Sequence, residues 1–211
     1  MYAKFFKRVF DIVLSFIALC VLSPVLIILT VVGAIVMKGN PFFFHKRPGK
    51  NEKIFSLVKF RTMTNKRDEN GNFLPDKQRL TKYGRILRAT SVDELPELIN
   101  ILKGDMSIVG PRPLGIKYLP YYTEQEKHRH DVLPGLTGLA QVRGRNNLSW
   151  EEKFAYDLEY VEKVSLLLDI RIIFETVIKV FKREGIGQGE QRPISLHIER
   201  EAKLREETIK K

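Results

Sequence analysis

The sequence predicts an α+β chain, mostly helical, that begins with a membrane-associated helix. Three observations carry this. Ile12–Met37 is a run of 26 residues without a charged side chain. Two β-type segments, Phe42–Lys46 and Lys53–Arg61, flank the turn set Pro48-Gly49-Lys50-Asn51. Further along, apolar residues recur at helical spacing, as in Leu95, Leu98, Ile99 and Leu102. The boundaries that follow are 1–40 for the membrane segment, 41–183 for a domain with its own core, and 184–211 for a charged tail.

As a helix the apolar run rises about 39 Å, enough to cross a hydrocarbon core of about 30 Å. Pro24 removes one backbone donor and kinks or breaks a helix. Each arm is then about 18–20 Å long, too short to span alone. Two arrangements remain open: a single-pass anchor kinked at Pro24, and a helix broken at Ser23-Pro24 that enters and leaves on one face. Basic residues favour the cytoplasm, and both flanks carry them: Lys4, Lys7 and Arg8 before, Lys38, Lys46, Arg47, Lys50 and Lys53 after. The Ser23 hydroxyl is the local partner for a backbone group freed by Pro24. The run is too long past Pro24 for a secretory signal, and bulky Leu19 spoils a lipoprotein-type cleavage before Cys20. Cys20 is the only cysteine, so there is no internal disulfide and no cysteine zinc site. The net charge of +11 suits an anionic membrane surface, which leaves no need for nucleic acid as the partner.

In the second strand the two-residue period puts Phe55, Leu57, Lys59 and Arg61 on one face. Thr64–Gln78 reads as a long polar loop whose acids lack calcium-loop spacing. Leu80–Ala89 and Glu94–Lys103 read as helices, the second stopped by Gly104. A buried strand, Met106–Val109, leads into rigid Gly110-Pro111-Arg112-Pro113. Thr123–His130 reads as a helical turn, and Trp150–Val161 and Leu166–Phe181 as helices. The last is apolar on most faces and suits either core or a membrane interface. The tail from Glu184 reads as polar and loosely held. The glycines of Pro134–Arg145 match no nucleotide loop, and His128 and His130 lack zinc-site spacing.

The sharpest constellation is Ser91-Val92-Asp93-Glu94-Leu95-Pro96-Glu97. An aspartate carboxylate can attack phosphorus to form an acyl phosphate, and a neighbouring glutamate can hold Mg²⁺ against a diphosphate. Ser91-x-x-Glu94 equally reads as a helix capping box, and both readings stand. Lys59, Arg88, Arg112, Arg143 and Arg145 are candidate anion binders, since guanidinium groups pair with phosphate in bidentate geometry. Prolines on both sides hold Arg112 in place. Asp157 and Asp169 sit among apolar helix positions, as partners for an arginine or a metal, or as plain buried ion pairs.

Taken in order, several stretches resemble the bacterial sugar transferases, in particular the small monotopic phosphoglycosyl transferases of the diacetylbacillosamine-1-phosphate transferase type. They are Lys7-Arg8-Val9-Phe10-Asp11, Ser23-Pro24, Lys59-Phe60-Arg61-Thr62-Met63, Ser91-Val92-Asp93-Glu94-Leu95-Pro96, Gly104-Asp105-Met106-Ser107, Gly110-Pro111-Arg112-Pro113 and His130-Asp131-Val132-Leu133-Pro134-Gly135-Leu136-Thr137-Gly138. The resemblance implies a re-entrant membrane helix broken at Ser23-Pro24, a cytoplasmic catalytic domain with amphipathic interfacial helices, and residence on the cytoplasmic face of the bacterial inner membrane. It implies Asp93 as nucleophile, Glu94 as Mg²⁺ ligand, and Lys59, Arg88, Arg112, Arg145, Asp157 and Asp169 as substrate-binding residues. The implied partners are a UDP-sugar, undecaprenyl phosphate, anionic lipids and downstream glycosyltransferases. Direct displacement without a covalent intermediate, and a non-enzymatic basic membrane module, are the competing expectations.

Overall fold

Lys7, Asp11 and Ser15 recur every four residues on one side of the first helix, and all three are buried. A polar stripe on an apolar helix marks the side that docks onto protein. The computed structural model describes residues 2–144, 147–182 and 194–209. In it α1 (Phe6–Met37) keeps most of its apolar side chains exposed, Val21 and Ile35 among them.

The expected interruption at Ser23-Pro24 does not end the helix, which stays helical through Pro24. Pro24 cannot donate to the carbonyl of Cys20, four residues back. The Ser23 hydroxyl donates to that oxygen instead, at 2.8 Å, so the orphaned group is satisfied within the helix. By length and composition α1 can cross a bilayer.

The hairpin forms as the turn chemistry dictates. β1 (Phe42–Pro48) pairs antiparallel with β2 (Ile54–Phe60), Phe42 opposite Phe60 with stacked rings. Asn51 takes the left-handed conformation in the turn. The stretch from Thr64 is less open than expected: Arg67 bridges to Phe73, and α2 (Asp76–Arg79) follows. In α3 (Lys82–Ala89) Gly84 sits on the end of β2; a Cβ there would meet the Thr62 carbonyl at 2.0 Å. The helix expected from Glu94 starts later, as α4 (Glu97–Lys103), because Pro96 caps it and a 3₁₀ turn fills Val92–Glu94.

β3 (Ser107–Val109) runs parallel to β4 (Gly135–Thr137), a pairing that alternation did not predict. The backbones meet so closely that a Cβ on Gly135 would lie 2.1 Å from the Gly110 nitrogen. The glycines of this stretch therefore serve backbone contact. A capped turn α5 (Glu124–Lys127), the short α6 (Leu139–Arg143), α7 (Trp150–Lys163) and α8 (Leu166–Lys182) complete the body. α8 buries Ile172 and Asp169 but exposes Leu167, Ile170 and Phe174, so it is core on one side and apolar surface on the other.

Of the tail expected to be loosely held, residues 184–193 lie outside the described residues, and the described part departs from expectation. α9 (Leu196–Ile209) packs on the domain, with Leu196 fully buried beside Tyr122, Trp150 and Phe154. Trp150 donates its indole proton to the Ile194 carbonyl, and Arg200 pairs with Glu126 at 2.6 Å. One buried leucine is worth about 1.5–3 kcal/mol, enough with these bonds to hold a polar helix.

Two further clusters fix the site. Phe55, Leu57, Leu98, Ile101 and Met106 pack with Ala18 and Leu19 of α1. Val109, Leu139, Val142, Tyr160 and Ile172 form the second. Arg8 donates to the carbonyls of Ile101 and Leu102 at 2.6 and 2.9 Å, capping the negative end of α4. Asp11 accepts from the Ile108 N–H at 2.9 Å. The first turns of α1 are thus bonded to α4 and β3, the two elements that flank the candidate site.

Candidate active site

Three carboxylates meet where β2, the Val92–Glu94 turn and α4 converge: Asp93, Glu94 and Glu97. Ser91 makes the turn possible in the left-handed region, at φ 57°, an uncommon conformation for a side chain that is not glycine or asparagine. It makes no side-chain cap bond, so the capping-box reading does not hold.

Lys59 projects from β2 between two of these acids, 2.6 Å from Glu94 Oε1 and 3.0 Å from Glu97 Oε1. Arg112, held between buried Pro111 and Pro113, brings its NH2 to 2.5 Å of Glu94 Oε1 and its NH1 to 3.4 Å of Oε2. Arg88 donates its Nε to the Thr62 hydroxyl at 3.0 Å, and its charge, with those of Lys59 and Arg112, acts on Asp93. Asp93 itself has no ion-pair or hydrogen-bond partner for its side chain among the described residues.

The three acids are therefore unequal. Burial pushes Glu94 up, but Arg112 and Lys59 outweigh it and hold its carboxyl well below the usual range. Burial and then the neighbouring Glu94 charge raise Asp93, against the pull of the three cations. Burial, only partly offset by Lys59, pushes Glu97 up to about 7. The Glu94 charge in turn raises Arg112. Asp93 is the least encumbered oxygen nucleophile in a ring of cations, an arrangement suited to attack on a phosphorus whose oxygens those cations neutralise.

Lys59, Arg112, Asp93 and Glu94 come together, and Arg88 is near enough for its charge to act on Asp93. Asp157 and Asp169 do not join them. Asp157 is buried and paired with Arg129 at 2.8 Å, and Arg129 also donates to the Arg112 carbonyl at 2.7 Å. Asp157 thus acts on the site through Arg129 and the Arg112 backbone. Asp169 accepts from the Tyr2 hydroxyl at 2.6 Å and from Lys7 at 2.7 Å, with the Tyr160 hydroxyl 2.8 Å from its other oxygen. It ties α8 to the base of α1, and its burial leaves no room for a substrate. Arg145 lies outside the described residues; Arg143 is exposed at the end of α6. His130 is buried against the Gly49 carbonyl and His128 pairs with Asp131, so both are hydrogen-bonding residues.

Glu97 was missed as a site residue. It stands three residues after Glu94, a spacing that puts both on one side of a helical turn. As for Mg²⁺, the site offers hard carboxylate oxygens, and Glu94 Oε2, with only the long contact to Arg112, is the freest on that residue. Among the described residues no group of three or more acids or histidines forms a complete metal cage.

The model of the family described as bacterial sugar transferase matches residues 2–183. The chain is 52% identical over 183 residues to an uncharacterized sugar transferase, EpsL, of Bacillus subtilis, covering 86% of this chain and 90% of that one. It is 37% identical over 201 residues to an undecaprenyl-phosphate galactose phosphotransferase of Salmonella typhimurium, covering 87% of this chain and 42% of that one. It is 38% identical over 186 residues to a UDP-glucose:undecaprenyl-phosphate glucose-1-phosphate transferase of Klebsiella pneumoniae, covering 83% and 40%. The chain spans about two fifths of the length of these last two relatives.

Proposed function

The chain belongs to the bacterial sugar transferase family, and on that premise we propose that it moves a sugar-1-phosphate from a UDP-sugar to undecaprenyl phosphate, an early membrane step in polysaccharide or glycoprotein assembly. A carboxylate oxygen of Asp93 attacks the phosphorus that bears the sugar. The bond from that phosphorus to the bridging oxygen breaks, and UMP leaves with the bond electrons. The phosphosugar is then an acyl phosphate on Asp93. A phosphate oxygen of the lipid attacks the same phosphorus, the Asp93–phosphorus bond breaks, and the carboxylate is restored.

The observation that carries this is the inequality of the acids. Glu94 is engaged by Lys59 and Arg112, whereas Asp93 is unpaired and faces the same cations. Lys59, Arg88 and Arg112 offset the charge spread over the diphosphate. Glu94 would hold Mg²⁺, which supplies further charge neutralisation on the diphosphate oxygens.

We also propose that α1 enters and leaves the membrane on the cytoplasmic face, bending about Pro24, where the lost hydrogen bond weakens it. Support comes from contacts at both ends. Arg8 bonds to α4, while Tyr83 of α3 donates to the Leu29 carbonyl at 2.8 Å and packs on Gly33. Residues 8 and 29 of a straight helix lie about 31 Å apart, yet both touch the same body. Anionic lipids below the basic surface, and downstream glycosyltransferases that accept the product, are the partners this placement suits.

The test is exchange of labelled UMP into UDP-sugar without lipid acceptor. The covalent route predicts exchange at a rate comparable with turnover. Turnover without exchange, and without phosphosugar mass on the peptide around Asp93, selects direct displacement with Asp93 as base or metal ligand.

A further inference from the structure

Arg47, near the end of β1, has no part in the scheme above. Its Nε is buried without a hydrogen-bond partner. One terminal nitrogen donates to His45 Nδ1 at 3.2 Å, and no carboxylate lies within ion-pair distance among the described residues. The guanidinium rests against the segment that carries Arg112: a Cβ added to Gly115 would lie 3.5 Å from it. The charges that act on it are those of Arg112, Glu97, Tyr118 and Tyr122, and burial and Arg112 both weaken its hold on its proton. An arginine keeps its charge regardless. Arg47 thus lies against the loop that carries Arg112, close enough for the two charges to act on each other, with Arg112 bound to Glu94 and Arg47 in no ion pair among the described residues.

A folded chain leaves a cation in that state where a ligand completes it. The planar fork of arginine fits phosphate oxygens two at a time. We propose that Arg47 and Arg112 form a two-arginine clamp for a phosphoryl group of a substrate. Two substrates carry one, the nucleotide diphosphate and the lipid phosphate. The course of β1 favours the lipid. The strand runs from the exposed ring of Phe43, which packs on His45 on the same face, to Arg47 beside the Arg112 loop. A phosphate whose tail lies in the bilayer would reach Arg47 from that side. The clamp rests on the transfer reading only for the identity of the substrate; the unpaired guanidinium is independent of it.

The test uses the full chain in detergent or nanodiscs with Arg47→Gln and Arg47→Lys. Equilibrium binding of UDP and of a short polyprenyl phosphate is measured first, then KM for each substrate, with thermal unfolding as a control. The expected result is a rise of at least about tenfold in Kd and KM for one phosphate compound in Arg47→Gln, with the other changed less than twofold. The unfolding midpoint stays within about 2 °C, and Arg47→Lys, a charge without the fork, recovers less than half of the loss. A rise for the polyprenyl phosphate assigns the clamp to the acceptor; a rise for UDP assigns it to the donor. Unchanged binding of both overturns the clamp. So does a loss shared equally by both ligands that follows a fall in unfolding midpoint and is fully rescued by lysine, which marks a structural pin. Absence of UMP exchange in the unaltered protein defeats the covalent route yet leaves the binding measurements to decide on Arg47.

Discussion

Two buried charge clusters stand within this chain, and they are built on opposite rules. At the base of α1, Asp169 receives Tyr2, Lys7 and Tyr160, so both its oxygens are engaged. Beneath the hairpin, Asp93, Glu94 and Glu97 divide Lys59 and Arg112 unevenly, and Asp93 and Glu97 are left raised while Glu94 is lowered. In the first cluster the Asp169 carboxylate is fully engaged and serves attachment. In the second the pairing is uneven, and that is the chemical resource: Asp93 is left without a partner among cations that a substrate phosphate can also use.

The widest separation of the two should come from Asp93→Asn and Asp169→Asn. Asp93→Asn is expected to lower turnover and UMP exchange at least about 10⁴-fold while the unfolding midpoint moves by no more than about 2 °C. Asp169→Asn leaves Lys7 buried without its anion, at a cost of about 3–5 kcal/mol. Calorimetry should show a midpoint lower by roughly 6–20 °C, with exchange per folded molecule within about threefold of the unaltered chain. A catalytic defect of the Asp93 size in a folded Asp169→Asn protein would erase the distinction.

Asp157→Asn should fall between them, since it strips Arg129 of its partner and loosens the Arg112 carbonyl. A midpoint several degrees lower together with a higher KM for UDP-sugar is expected, whereas loss of stability alone would place Asp157 with Asp169. The smallest effect is a pH dependence. Glu97 binds its proton more tightly in the folded chain, at about 7 against an ordinary 4.5. Its contribution to stability is therefore whole below about pH 4.5 and is lost as pH rises through about 7. Glu97→Gln should remove that decline, so the gap between variant and unaltered chain widens in the variant's favour from pH 4.5 to 7 in chemical denaturation. A gap independent of pH would show Glu97 ionised throughout.

The cluster at the base of α1 was the harder one to foresee. Asp93, Glu94, Lys59 and Arg112 were legible because acid pairs, prolines and strand alternation are local signals. Asp157 and Asp169 were visible as polar residues among apolar ones, but their partners lie 28 and 162 residues away in sequence, in Arg129 and Lys7. The hairpin and the long helices followed from periodicity. The β3–β4 pair did not, since three-residue strands have too few positions to show alternation, and the packing of their glycines emerges only when both segments are side by side. The helix after residue 194 was hidden for a different reason: its few apolar residues are scattered among charged ones, and its attachment rests on Leu196 together with long-range bonds such as Arg200 to Glu126.

The grip of Arg8 on the last carbonyls of α4 turns that short helix into a measuring rod. Its seven residues rise about 10 Å, with the membrane helix fastened at one end and the acids at the other. Under the proposed function, the height of Asp93 over the lipid surface is set by the length of α4.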